Sequence, residues 1–220
     1  MSLYDQINGN MALYALELEY REGRVDVGYA VSALRKAGIN VMGVAESKRA
    51  IISGTVSGKE PVFIFIRSDA RPDITRVRYE LESYGVIDFT LYALDELRVS
   101  DLAVMQEHVR RRPRPVPVGG GWYEIPLQSL DQYLVLVQVI IPNVKADQIT
   151  EDAREAVSGR QVSGWYYVPY EESIHGVLLR VFTSDTSDLR AIADILDARY
   201  DGTIVYGIYK AIPLKAEAAP

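Results

Sequence analysis

The sequence predicts an α+β protein made of two tandem βαββαβ repeats, each a four-stranded antiparallel sheet with two helices on one face. Three observations carry this. Runs of period-2 or β-branched residues mark strands, and helix-spaced apolar stripes lie between them, in the same order in each half. Short motifs recur in register between the halves. Gly38-Ile39-Asn40-Val41-Met42-Gly43 answers Gly159-Arg160-Gln161-Val162-Ser163-Gly164, Ser68-Asp69 answers Ser184-Asp185, and Tyr92 answers Tyr209. The spacing between partners drifts by only a few residues, as changes in loop length would cause, so the pattern reads as an internal duplication.

The first repeat, 1–95, opens with LYALELEY at 13–20, where Tyr14, Leu16, Leu18 and Tyr20 alternate with Ala15, Glu17 and Glu19. That alternation predicts a strand with one wetter face. A helix follows over 26–37, with Asp26 as N-cap and Val27, Val31 and Leu34 as its apolar stripe. Gly38 ends it, since a residue without Cβ tolerates the left-handed conformation. INVMGV and PVFIFIR are the next strands, separated by the turn-forming VSGK at 56–59. Ile74, Val77, Leu81 and Tyr84 space a second helix over 72–84, Gly85 stops it, and VIDFTLYAL at 86–94 is the last strand.

The second repeat, 131–220, follows the same order. Strands are predicted at 133–141, 162–168, 176–182 and 203–212, and helices at 146–158 and 188–200. Strand-helix-strand units cross over right-handed, and two of them interleaved give the ferredoxin-like split βαβ arrangement. Between the repeats, 96–130 reads as a linker: a helix over 100–112 capped by Ser100, then PRPVPVGGG, which proline and glycine keep out of a helix. GWYEIPL at 121–127 adds a short strand or arm.

Composition bounds the chemistry. The 220 residues are 48% hydrophobic and 25% charged, enough for a core, and the net charge is −6. An acidic chain disfavours general binding to a phosphate backbone. With no cysteine and two histidines, disulfides, thiolate chemistry and histidine-rich metal sites are excluded. No GxGxxG, GxxxxGK[ST] or HExxH motif occurs. No cofactor and no catalytic residue is therefore expected. The first residues lack a signal-peptide pattern, and the longest apolar run, YLVLVQVII, is too short for a membrane helix. A cytoplasmic protein with no membrane partner is expected.

GRVDVGYAVSALRKAGINVMGVAES, residues 23–47, resembles the first helix and second strand of an ACT domain, a βαββαβ module that commonly binds amino acids or similar effectors. The closest stretch is SALRKAGINVMGV, and the looser resemblance covers 13–94 and 133–212. It implies a tandem ACT-like regulatory protein that senses an amino acid-like small molecule. The loop YREGRVD departs from the family's Asp-x-Pro-Gly-like pattern, with Gly23 standing for the family glycine. The candidate ligand residues are Gly23, Arg24, Val25, Asp26, Asn40 and Met42. Unpaired N–H groups at the start of helix 26–37 suit a carboxylate, Arg24 an anion, Asp26 an ammonium, and Asn40 offers an amide. Gly23, Asp26 and Asn40 also read plainly as turn, cap and strand-entry residues.

Other features admit other readings. Arg110, Arg111, Arg112 and Arg114 form a dense basic cluster, which reads as an anion contact, as a groove-docking segment for a partner protein, or as a solvated helix end. His175 beside Glu171 and Glu172 reads as a proton-transfer or metal site, or as a polar hairpin. KEPVFIFI, with Phe63 and Phe65, faintly resembles the third-strand motif of RNA-recognition modules but lacks its glycines. An assembly scaffold, or an enzyme of the dimeric α+β barrel kind, uses the same repeat. Strands 61–67 and 133–141 are apolar on both faces, so the face turned from the helices needs a cover. The linker, the other repeat and a second chain are the choices, and a homodimer is expected on this ground.

Overall fold

The structure, a computed structural model, describes residues 11–20, 27–47, 61–82, 86–104, 116–119, 122–124, 130–141, 144–157, 162–170 and 175–214. In the first half, strand β1 (Ala12–Tyr20) leads to helix α1 (Val27–Lys36) and strands β2 (Asn40–Glu46) and β3 (Val62–Ser68). Helix α2 (Ile74–Glu82) and strand β4 (Val86–Leu97) complete it. The second half runs β7 (Asp131–Val139), α3 (Ala146–Ala156), β8 (Val162–Pro169), β9 (Gly176–Thr183), α4 (Thr186–Tyr200) and β10 (Ile204–Pro213). Between the halves, β5 (Val116–Gly119) and β6 (Trp122–Glu124) pair as a two-stranded sheet after a 3-10 turn at Val99–Asp101. The helix expected over 100–112 with Ser100 as its cap is corrected at its start: Ser100 lies within that 3-10 turn, Leu102 is extended and 102–104 are not helical, while 105–112 lie outside the described residues.

Local chemistry sets the helix ends. Val27, Ala30, Val31 and Leu34 of α1 are buried at helical spacing. At its end Gly38 has φ +81°, its N–H bonds the Arg35 carbonyl (2.9 Å), and the Ile39 N–H reaches back to Leu34 (3.0 Å). Only a residue without Cβ takes that conformation freely, so the turn that hands α1 to β2 depends on Gly38. Asp73 caps α2 by accepting from the Thr75 and Arg76 N–H groups, and Asp185 caps α4 by accepting from Ser187.

The expected pair of separate four-stranded sheets is corrected by the strand pairing. Within each half the order is indeed repeated, β4-β1-β3-β2 and β10-β7-β9-β8, but the outer strands do not end as edges. β2 pairs with β8, with Val44 opposite Val168 and Ala45 opposite Tyr167. β4 pairs with β10, with Leu94 opposite Ala211 and Leu97 opposite Ile208. All eight strands form one closed antiparallel barrel. Two sheets of equal strand number and like twist leave matching open edges, and pairing both removes the exposed hydrogen-bonding rows of four strands.

Closure also explains strands that are apolar on both faces. Val62, Ile64 and Ile66 of β3 point outward into a core shared with α1 and α2, whereas Phe63 and Phe65 point into the barrel. In the second half, Val135, Val137, Leu179 and Val181 pack outward beneath α3 and α4, and Leu134 and Leu178 point inward. The barrel interior is thus a third apolar cluster to which both halves contribute: Ala15, Phe65 and Leu94 from one, Leu134, Trp165 and Tyr167 from the other. Phe65 and Tyr167 meet edge to face at 5.4 Å across the halves. Gly43 is needed at the β2–β8 seam, where a Cβ would stand 2.7 Å from the Tyr167 ring. The face assigned to a second chain in the homodimer expectation is covered within the barrel by the other half. Among the described residues no helix is long and apolar enough to cross a membrane.

Outside the barrel, α3 and α4 are joined through Asp152, 3% exposed, which accepts from Tyr200 Oη, the Arg199 guanidinium and Gln148 Nε2. Burial opposes its ionisation, but the hydrogen bonds from Tyr200 and Gln148 and the Arg199 charge outweigh burial and hold its carboxyl below the usual range. A carboxylate with a depressed folded-state pKa stabilises the fold above its unfolded pKa, near 3.9, and that stability is lost as pH falls through the folded value. Asp152→Asn should therefore cost stability at pH 7, and its deficit relative to the unmodified protein should shrink steadily below about pH 4. Urea unfolding at pH 7, 4 and 3 checks this. A deficit that stays constant with pH would show that the charge on Asp152 is not what matters.

Candidate functional site

Two charged side chains enter the barrel interior near the end where β1 and β9 finish and β3 and β7 begin. Glu17 on β1 lies opposite Phe63 on β3, and Arg180 on β9 lies opposite Leu134 on β7 and Ser163 on β8. Each has the strand parity of the inward-facing residues beside it: Ala15 beside Glu17, Leu178 beside Arg180. Arg180 Nη1 donates to Glu17 Oε1 at 2.5 Å, with the two side chains only 17% and 18% exposed. Tyr92 on β4, opposite Ala15, donates its phenol to Glu17 Oε2 at 2.9 Å. Both carboxylate oxygens of Glu17 are thus engaged, one by a cation and one by a phenol.

Three rings surround the guanidinium. Its carbon stands 4.8 Å from the Trp165 ring centre, 5.2 Å from Phe182 and 5.5 Å from Phe63. Phe63 and Trp165 are themselves edge to face at 5.3 Å. Aromatic faces attract a desolvated cation, so the rings and Glu17 together hold Arg180 where water alone would not. Burial, then the neighbouring Glu17 charge, raise the Tyr92 pKa to about 12. Tyr92 is therefore a proton donor to Glu17 through the neutral pH range and not a base.

Two donors here have no acceptor among the described residues: Arg180 Nε and Gln132 Nε2 are buried nitrogen atoms without a hydrogen-bond partner there. Gln132 lies opposite Phe182 while Arg180 lies opposite Leu134, so the two are diagonal neighbours on the β7–β9 pair. Their shared inward parity brings two long side chains to one region. A buried donor left unpaired costs about 1–3 kcal/mol, so two in one place call for an explanation.

Of the residues singled out from sequence, Phe63 stands at this place. Gly23, Arg24, Val25 and Asp26 lie outside the described residues, as do Arg110, Arg111, Arg112, Arg114, His108, Glu171 and Glu172. Asn40 is exposed at the start of β2. Met42 packs against the apolar cluster of the barrel interior. His175 is exposed, and its carbonyl accepts from the Val139 N–H at the head of β9. Among the described residues no group of three or more histidine or carboxylate side chains is placed to hold a metal. In the sequence Glu17 is one of the residues on the wetter side of an alternating strand. Arg180 left one legible signal, a single cation within the otherwise apolar run GVLLRVF.

No family model and no curated protein matches the sequence. Solved structures align over most of the chain. An unknown protein from Galdieria sulphuraria shares 12% identity, with 92% of this chain and 99% of that one covered and a TM-score of 0.28. A dye-decolorizing protein from V. cholerae shares 14%, with 93% and 94% covered and a TM-score of 0.30. A mutant chlorite dismutase from Candidatus Nitrospira defluvii shares 7%, with 91% and 92% covered and a TM-score of 0.28. Overlap at this level carries neither a family nor an activity to this chain. The eight strands close into one barrel and not into two separate four-stranded sheets. The resemblance to tandem ACT-like proteins, and the non-catalytic amino acid-sensing regulator it implied, are corrected accordingly.

Proposed function

We propose that the polar end of the barrel interior is a small-molecule site. A flat ring lies among Trp165, Phe63 and Phe182, and an acceptor atom of the same molecule takes up Gln132 Nε2 and Arg180 Nε. The observation that carries this is the pair of buried donors without acceptors among the described residues, beside an ion pair and three rings. An eight-stranded barrel is wide enough for filling side chains or for one small ligand, and ligand sites combine apolar walls with a few convergent polar groups. Here Glu17 orients the arginine, and Tyr92 orients Glu17. The chemistry on offer is hydrogen-bond donation to an oxygen of the bound molecule in a desolvated place, where such bonds gain strength.

The test uses the full chain labelled with ¹⁵N and a set of one- and two-ring fragments. The Trp165 indole N–H signal is assigned by its loss in Trp165→Phe. Fragments that bind here shift the Trp165 indole and the Gln132 side-chain amide together and saturably. If every fragment leaves both signals in place at millimolar concentration, the barrel end is a packed ion pair and not a site.

A further inference from the structure

We infer that this site, if it binds as proposed above, takes an uncharged ring compound carrying a carbonyl oxygen, and discriminates against carboxylates and ammonium groups. The argument is one of charge and of counting. Arg180 is already neutralised by Glu17 at 2.5 Å, so the site presents a closed ion pair and not a free cation. A carboxylate entering beside it would be buried next to Glu17, with the nearest positive charge already shared. Burying a charge without its own partner costs several kcal/mol. An ammonium group fares no better, because Glu17 has one oxygen on Arg180 and the other on Tyr92, and the guanidinium would repel it.

A neutral carbonyl meets neither penalty. Its oxygen carries two lone pairs, and the site has two N–H donor atoms without acceptors among the described residues, Gln132 Nε2 and Arg180 Nε. They differ in kind. Gln132 donates from a neutral amide, whereas the Arg180 bond is charge-assisted and the stronger of the two. The rings of Trp165, Phe63 and Phe182 favour a flat group conjugated to that carbonyl, since the remaining contacts are with aromatic edges and faces. An aromatic amide, ketone or quinone-like compound has this chemistry.

Four probes of one shape decide it: benzamide, benzoate, benzylammonium and toluene, titrated at pH 7 into the labelled full chain. The signals followed are the Gln132 side-chain amide, the Arg180 Nε–H and the Trp165 indole. Benzamide is expected to shift all three and to bind about tenfold or more tightly than benzoate or benzylammonium, the factor that one lost charge-compensated contact gives. Toluene is expected to shift only the indole. In Glu17→Gln, where the arginine charge is freed, benzoate should gain about tenfold or more over its affinity for the unmodified protein.

Benzoate or benzylammonium binding more tightly than benzamide to the unmodified protein overturns the ligand class while leaving a ring site in place. Toluene binding as tightly as benzamide, with Gln132 and Arg180 unmoved, overturns the donor assignment. No shift with any probe overturns the site itself. Should Glu17→Gln fail to melt cooperatively, the order of the four probes on the unmodified protein decides alone.

Discussion

Replacing Glu17 with alanine is expected to destabilise the protein by about 3 kcal/mol, near the lower end of the range for breaking a buried pair. The substitution leaves Arg180, 17% exposed, without its carboxylate among three rings, and frees the Tyr92 phenol of its acceptor. For a chain of this size the melting temperature should fall by roughly 6–12 °C. The size of the loss reflects the arginine left behind more than the worth of the pair. The double replacement Glu17→Leu with Arg180→Met should therefore recover most of it, because apolar residues of similar volume often replace a buried pair at little cost. Urea unfolding of the two single variants and the double variant closes the cycle. A loss under about 1 kcal/mol for Glu17→Ala, the value of an exposed pair, would show that water reaches this end of the barrel freely.

Phe65→Ala should be as costly, about 3–5 kcal/mol, for a different reason. Phe65 is 1% exposed, sits inside the barrel, and meets Tyr167 of the other half edge to face. Its removal leaves a cavity that eight hydrogen-bonded strands cannot collapse around, and it deletes a ring pair worth about 0.5–1.5 kcal/mol beyond its area. Tyr79→Ala on α2, where the ring is 77% exposed, should change stability by less than about 0.5 kcal/mol. Because Phe65 couples the halves, its loss should lower a single cooperative transition. Two separated transitions in the unmodified protein would mean that the barrel interior does not join the halves energetically.

The element order was legible because it is written in side-chain periodicity. The stripe Val27, Val31, Leu34 and the stop at Gly38 mark α1 with bounds one residue inside those expected. How the sheets join was not legible. Pairing at the β2–β8 and β4–β10 seams runs through backbone N–H and C=O groups, which every residue but proline carries alike. The two-faced apolarity of VFIFI was a real signal, yet a second chain, a linker and the other half all satisfy it equally. The candidate site was hidden for a related reason. Glu17 differs from a solvated strand residue only in what stands across the barrel, and Arg180 comes to it from 163 residues further along the chain. A glycine and a capping residue before a helix form a local signature, whereas Glu17 and Arg180 meet only on closure.

The β2–β8 seam also sets a condition on how the chain is made. Glu46 waits for Tyr166, about 120 residues later, before its strand has a neighbour on that side. At a synthesis rate of about 5–20 residues per second, that interval is roughly 6–24 s. Through it, the ring-bearing face of β3 has its own helices on the far side and nothing on the near side. The nascent first half is therefore a half-open sheet with an aromatic face and an unpaired edge, the combination from which misassembly between neighbouring chains begins.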